Sequence, residues 1–309
     1  MNYRREEILN LLLEDKEKIF KIATSTREEH CNGISLRAVI EFSNYCINNC
    51  IYCGMRRDNV NLSRYRMSGE EIVDAAREVK NKNISTIFLQ SGCDPASDYI
   101  LCKAIERIKK ELGLKVILGI GERSFEEYKR IRDAGGDGFI LKHETSDGEL
   151  FKKMKFYSLE DRLRCLRDLK KLNFEVGTGC IVGLPGQKFS SFADDILLGK
   201  LLECEMISAS AFIPHDQTPL SCFPQGSLEL TLRVMAVMRI ILPHASIPAT
   251  STLERLARGG QFLGLKAGAN ILTINATPEK YRDNYVIYSS DRKLIDLEHV
   301  RSILEKYEE

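Results

Sequence analysis

The chain has 309 residues, 43% of them hydrophobic, and balances 45 Lys and Arg against 44 Asp and Glu. That composition supports a full apolar core, and a formal charge of +1 disfavours nucleic acid as main partner, since polyanion binders usually carry a basic excess. No apolar run is long enough to cross a bilayer and no secretion signal is evident at the N-terminus, so a cytoplasmic location without membrane contact is expected. Ten cysteines in such a chain predict thiols and metal ligands rather than disulfides.

In chain order, residues 1–34 read as a helical N-terminal extension with an amphipathic pattern. Residues 35–309 then alternate β-branched runs with amphipathic stretches. The strand-like runs are SLRAVIEF (35–42), STIFLQ (85–90), KVILGI (115–120) and GFILKH (138–143). EVGTGCIV (175–182), MISASAFI (206–213), SIPATS (246–251) and ANILTI (269–274) follow. Helical patterns fall between them at 69–82, 124–135 and 159–172, with a last one at 296–308. Ser68 and Ser124 stand at N-cap positions with Glu71 and Glu127 three residues on, the pattern of a capping box. Eight strands with helical crossovers predict an α/β fold, a single (β/α)₈ TIM-type barrel after the helical lead-in. An open doubly wound sheet is the alternative arrangement. No Gly, Ser or Pro-rich linker divides residues 35–309.

Directly after the first strand comes EFSNYCINNCIYCGMRRDN, in which Cys46, Cys50 and Cys53 are spaced C-x₃-C-x₂-C. Ten randomly placed cysteines would give roughly 0.01 such triplets in this length. Three thiolates suit three irons of a 4Fe–4S cluster and leave the fourth iron open, as a catalytic centre requires. A loop after strand one lies at the C-terminal face of a barrel, where barrel active sites form. The alternative is a zinc site closed by a distant Cys or His, although no second CxxC pair exists.

The C-x₃-C-x₂-C loop with Tyr52 before its third cysteine resembles that of the radical S-adenosylmethionine superfamily. The resemblance runs from about Arg37 to Tyr288 and is sharpest with the FeFe-hydrogenase maturase HydE. It rests further on RYRM (64–67), LQSGCDP (89–95), KHET (142–145), GLPG (183–186), FIPHDQTPL (212–220), LPHASIPATS (242–251), AGAN (267–270) and TPEKYRDNYVIY (277–288). Methylornithine synthase and biotin synthase share the barrel and loop but look more distant. The resemblance implies one 4Fe–4S cluster and S-adenosyl-L-methionine, the latter cleaved to a 5′-deoxyadenosyl radical. No cysteine follows Cys222, so a second, accessory cluster is not expected.

The same resemblance assigns cofactor contacts to the backbone of Tyr52, to Ser91 and Gly92 near the methionyl amino group, and to Glu144 and Arg162 near the ribose and methionyl carboxylate. Ile181 and Gly183, within TGCIVGLPG, match an adenine-binding strand. A salt-bridged rim is the plainer reading of Glu144 and Arg162, and a turn that of Ser91 and Gly92. Cys93 departs from the Glu expected there. His143 cannot face the same way as Glu144 on one strand and reads as structural. Arg37, Thr250, Ser251, Tyr285 and Tyr288 match positions lining the maturase's inner cavity. An interior Arg37 needs an anion, either a substrate carboxylate or a core Glu such as Glu41. Arg56, Arg57 and Asp58 are expected to buttress the cysteine loop, and His215 either faces the cavity or fixes its own loop. Cys31, Cys102, Cys165, Cys180, Cys204 and Cys222 default to small buried hydrophobes.

By this resemblance the chain is a HydE-like enzyme acting on a small cysteine-derived, iron-bound precursor. An external one-electron donor and transient contact with other maturases are implied. A methylornithine synthase-like amino-acid mutase and a non-catalytic iron–sulfur scaffold are the alternatives.

Overall fold

The computed structural model describes residues 3–288 and 295–308. Seven parallel strands form one curled sheet in the order β6-β5-β4-β3-β2-β1-β7. They are β1 (Ser35–Ser43), β2 (Thr86–Ser91), β3 (Lys115–Gly119), β4 (Gly138–Ile140), β5 (Glu175–Val182), β6 (Met206–Ala211) and β7 (Ile271–Asn275). The expected eighth strand at 246–251 is not a strand. Pro248 has no N–H to give to a ladder, and the chain turns helical from Ser251. The segment still joins the two sheet edges. Ile207 N–H donates to the Ser246 carbonyl at 3.1 Å on the β6 side, and Ala249 N–H donates to that of Ile271 at 2.9 Å on the β7 side.

Helices cover the outside. Two lead-in helices, α1 (Arg5–Leu13) and α2 (Lys16–His30), precede the sheet. The crossovers carry α3 (Gly69–Asn81), α4 (Asp98–Arg107), α5 (Phe125–Asp133), α6 (Gly148–Lys155) and α7 (Leu159–Lys171), then α8 (Ser191–Leu201) and α9 (Leu228–Ile241). Three short helices, α10 (Ser251–Leu256), α11 (Gly260–Lys266) and α12 (Glu279–Arg282), lead to α13 (Leu297–Glu308). Capping boxes at Ser68 and Ser124 start α3 and α5, and a third at Ser158 with Asp161 starts α7. Each satisfies orphan N–H groups and fixes where the crossover begins. The lead-in helices bury Ile8, Leu12, Ile19 and Ala23 in the main core, and Arg5 pairs with Asp194 of α8 at 2.6 Å.

The main core lies between sheet and helices. A second, smaller cluster lies inside the curl, where Val39, Phe88, Ile117, Ile140 and Met206 meet. Alternate strand residues point to opposite faces, so β1, β2, β3, β4 and β6 each serve both clusters. β4 stops at Ile140, short of the expected 143. Beyond it Glu144 takes a left-handed conformation, φ 64°, which bends the chain toward the interior. Among the described residues no helix is long and apolar enough to cross a membrane.

Candidate active site

Cys46, Cys50 and Cys53 lie on the loop after β1, and neighbouring elements hold its backbone. Ile47 N–H donates to the Cys93 carbonyl at 2.8 Å, Ile51 N–H to that of Met154 at 3.1 Å and Gly54 N–H to that of Ile287 at 3.0 Å. The main clamp is Arg64. Its guanidinium donates to the carbonyls of Asn44 (2.6 Å), Met55 (2.9 Å), Arg56 (2.7 Å) and Asn59 (3.2 Å). A planar fork of donors can gather four oxygens of one loop as a lysine cannot. Arg56, Arg57 and Asp58 buttress the loop as expected, partly through their backbone: Arg57 N–H donates to the Asn48 carbonyl at 2.8 Å and Arg56 N–H to that of Cys53 at 3.1 Å. Asp58 accepts from Asn49 at 2.6 Å and from Arg57 at 3.1 Å, while Arg56 stays 3.8 Å away.

Two glycines permit this packing. A Cβ on Gly92 would lie 2.2 Å from the Tyr45 carbonyl oxygen and 2.9 Å from Cys46 Cβ. The small residue at the end of β2 therefore admits the cysteine loop itself. Ser91 is turned inward locally, its hydroxyl donating to the Gly92 carbonyl at 2.6 Å. A Cβ on Gly54 would lie 2.4 Å from the His215 ring. His215 accepts from Gln217 N–H at 3.0 Å, so it fixes its own loop and backs Gly54.

All three cysteines are free thiols and line one cavity of about 400 Å³ that extends to Arg37 in the first half of β1. Tyr52, Ser91, Gly92, Glu144, Arg162, Ile181, Thr250, Ser251, Tyr285 and Tyr288 also line it. Gly183 does not. Its N–H donates to Gln187 Oε1 at 2.8 Å, and the same amide donates to the Ile181 carbonyl at 2.9 Å. The backbone edge expected to read adenine at Gly183 is thus occupied by a side chain of the chain's own. His143 is buried, with Nδ1 at 2.9 Å from Thr178 Oγ1, a structural role as expected, although it lies beyond the end of β4.

Glu144 sits deep in the upper part of the site. Its N–H donates to the Gly179 carbonyl at 2.9 Å, and its carbonyl accepts from Ile181 N–H at 2.8 Å. Tyr52 OH donates to Oε1 at 3.1 Å, Lys142 Nζ is 3.4 Å from Oε2 and Lys155 Nζ is 3.7 Å from Oε1. Burial would raise its pKa, but Lys142, Lys155 and Arg162 outweigh that and hold it below the usual carboxylate range. Oε2 is buried and has no hydrogen-bond partner. Arg162 is more committed than expected: it pairs with Glu122 and the Lys142 carbonyl and donates to Tyr157 OH at 2.6 Å. Its Nε remains without a partner. Burial opposes ionisation of Glu122, yet Arg162 and Lys155 push it down to about 2.

Sequence reasoning missed Arg64 as a clamp, Glu122, Tyr157 and Lys155. Only Arg64 lay in a noted motif. Cys93 is buried behind the loop, with Arg123 donating to its sulfur at 3.4 Å, and burial pushes its thiol up to about 12. Cys165, Cys180 and Cys204 are buried as expected, Cys31 and Cys102 are half-buried, and Cys222 is exposed, contrary to expectation.

The lower part of the cavity has one apolar wall, built from Val39, Phe88, Ile140 and Met206. Arg37, Thr273, Asn275 and Glu41 line the cavity as well, with Arg37, Val39 and Glu41 on one face of β1. Arg37 donates to Thr273 Oγ1 at 2.9 Å and lies 5.0 Å from the Phe88 ring centroid. Burial alone lowers its pKa, to about 10. Glu41 accepts instead from Asn275 at 3.0 Å and Thr277 at 3.3 Å. Ser251 and Tyr288 hydroxyls meet at 2.8 Å, as do those of Thr250 and Thr252.

Among the described residues no three His, Cys, Asp or Glu side chains are grouped to hold a metal ion. A 4Fe–4S cluster instead takes each thiolate on a different iron and needs them spread around a larger body. Three free thiols on one cavity wall, with the unpartnered Glu144 Oε2 and Arg162 Nε close by, fit such a cluster beside a ligand carrying hydroxyls and a carboxylate.

Residues 40–198 match the Radical SAM superfamily, and residues 208–295 match the Biotin and Thiamin Synthesis associated domain. The chain is 43% identical over 277 residues to the [FeFe] hydrogenase maturase subunit HydE of Thermotoga maritima, covering 88% of this chain and 79% of that protein. It is 28% identical over 300 residues to 3-methylornithine synthase of Methanosarcina acetivorans, covering 96% of this chain and 84% of that one. The crystal structure of methylornithine synthase (PylB) superposes with a TM-score of 0.87 at 26% identity, over 100% of this chain and 93% of that one. The FeFe-hydrogenase maturase HydG from Carboxydothermus hydrogenoformans shares the fold, with a TM-score of 0.82 at 22% identity over 99% of this chain and 75% of that one. With its three-cysteine loop, its cavity and these relatives, the chain belongs to the radical S-adenosylmethionine superfamily, as a HydE-like enzyme that uses a 4Fe–4S cluster and S-adenosyl-L-methionine.

Proposed function

We propose that the chain acts in assembly of the FeFe-hydrogenase active site, on a small cysteine-derived, iron-bound precursor. Cys46, Cys50 and Cys53 would hold the cluster, which would supply the one electron needed to cleave the sulfonium into methionine and a 5′-deoxyadenosyl radical. The chain's own residues do the rest. The carboxylate of Glu144, with an oxygen left unpartnered, accepts from ribose hydroxyls, while Arg162 and its neighbours receive the methionyl carboxylate. Val39, Phe88, Ile140 and Met206 keep water and stray hydrogen donors from the reacting carbon. Arg37 takes the substrate carboxylate, and Thr250, Ser251 and Tyr288 offer hydroxyls beside it.

The observation that carries this reading is the Arg37 guanidinium, which donates to Thr273 and has no carboxylate partner among the described residues, in a cavity continuous with the cysteine loop. Attack on a substrate sulfur predicts an adenosylated product rather than free 5′-deoxyadenosine. The test is mass spectrometry after anaerobic reconstitution and reduction, with the iron–cysteine precursor and, separately, with lysine. An adenosyl–sulfur adduct from the precursor is expected; hydrogen abstraction alone would overturn it. A lysine mutase remains the second reading, favoured by Arg37 and Glu41 sharing the cavity as basic and acidic anchors, and methylornithine from lysine would establish it. The scaffold alternative is set aside, because the chain is a superfamily enzyme. Contact with an external electron donor and with other maturases belongs to the same proposal.

A further inference from the structure

Lys155, the last residue of α6, carries a buried ammonium that the scheme above leaves without a role. Its side chain is 7% exposed and it lines the cavity together with the three cysteines. Nζ lies 5.4 Å from the centroid of Tyr52, the residue just before Cys53. Its paired carboxylate oxygen, on Glu144, stands 3.7 Å away, beyond hydrogen-bond range. That carboxylate is shared with Lys142 and Tyr52. The position is built rather than incidental. Ile51, next to Cys50, donates its N–H to the carbonyl of Met154 at 3.1 Å, tying the end of α6 to the cysteine loop. Phe156 then takes a left-handed conformation, φ 66°, which ends the helix there.

Burying an ammonium is costly unless negative charge compensates it. Glu144 supplies part of that charge, and an anionic cluster on the cysteine loop would supply more. Lys155 lines the same cavity as Cys46, Cys50 and Cys53, so one cation shares a shielded site with all three ligand positions.

We propose that Lys155 is a positioning charge that raises the reduction potential of the bound cluster and so favours electron uptake. Reduction adds one negative charge to the cluster, and a fixed positive charge nearby stabilises the reduced form more than the oxidised form. The proposal rests on Cys46, Cys50 and Cys53 being the ligands.

The test compares wild type, Lys155→Met and Lys155→Arg after anaerobic reconstitution. Iron and sulfide content measure loading, and an EPR-monitored reductive titration without S-adenosylmethionine measures the midpoint. The Met variant should load yet show about a tenfold lower reduced-to-oxidised ratio at fixed potential, about 59 mV for one electron. The Arg variant should stay near wild type. A loaded Met variant with the wild-type midpoint overturns the proposal, and if it also binds S-adenosylmethionine more weakly, Lys155 is a cofactor contact instead. If the Met variant fails to load, Lys155→Gln, which keeps a polar head, makes the same comparison with the same criterion. Wild type that takes up no iron removes the ligand assignment, and with it this proposal.

Discussion

Replacing Arg64 by Met removes the donor fork that gathers four carbonyls of the cysteine loop while keeping much of the aliphatic stem. Hydrogen bonds from a charged donor contribute roughly 1.5–3 kcal/mol each. Arg64 is only half-buried, so water can reach part of the freed backbone, and about 1 kcal/mol per bond is the appropriate figure. The loop then loses about 4 kcal/mol of local ordering, close to a thousandfold in the population of its cluster-binding conformation. Arg64 sits outside the main core, so the loss should show as local opening and not as global unfolding. Hydrogen exchange across residues 44–59 should accelerate, and iron uptake on reconstitution should fall, while the main thermal transition moves little. An Arg64→Met protein that keeps both the exchange protection and the iron content of wild type would refute the clamp. Arg64→Lys should recover only part of the effect, because one ammonium cannot span the four oxygens.

Glu144→Gln keeps the shape but removes the charge, and S-adenosylmethionine binding should weaken by about 10–100-fold, the scale of a charge-assisted hydrogen bond. Equilibrium dialysis on cluster-loaded protein with unchanged affinity would remove Glu144 from the ribose site. Gly92→Ala places a Cβ 2.2 Å from the Tyr45 carbonyl oxygen and should cost about 1–3 kcal/mol through displacement of the cysteine loop; denaturant midpoints and iron content check it, and a neutral substitution refutes the close approach. Glu122 has a folded pKa of about 2, below the unfolded value of about 4.3. Its pairing with Arg162 therefore stabilises fully above about pH 4.3 and loses about 3 kcal/mol as pH falls toward 2. Urea titrations of wild type and Glu122→Gln should converge across that window, and parallel pH profiles would show the pairing to be inert.

The cysteine loop was legible because its information is local: three ligands within eight positions after a strand. Strand periodicity and the Ser–Glu capping pairs are local as well, and the boundaries of α3 and α5 follow them closely. The run 246–251 looked like a strand because alternation ignores Pro248, whose missing N–H leaves only isolated bridges to Met206 and Ile271. Gly92 reads from the sequence as a contact near the methionyl amino group or a turn, and the structure adds that the cysteine loop packs against it. Gly183 matched an adenine pattern, yet Gln187, four residues on, claims its N–H, which a linear pattern does not reveal. Glu122, Tyr157 and Lys155 were invisible for a different reason. They converge from separate crossovers on Arg162 and Glu144, and each alone looks like an ordinary surface residue type.

The charges of the cavity divide it into two ends with different demands. At the upper end Lys142, Lys155 and Arg162 face Glu122 and Glu144, three shielded cations against two carboxylates. On the proposed function a negatively charged cluster and a cofactor carboxylate would offset that excess. Arg37 lies near the start of β1, and Glu41, four residues on toward the cysteine loop, accepts from Asn275 and Thr277. On the proposed function the Arg37 guanidinium would take an incoming anion in the same way. Val39, Phe88, Ile140 and Met206 line the same cavity, and their side chains offer no hydrogen bonds to either anion. On the proposed function the reacting atoms would meet over this apolar wall, where a carbon radical would find the fewest competing partners.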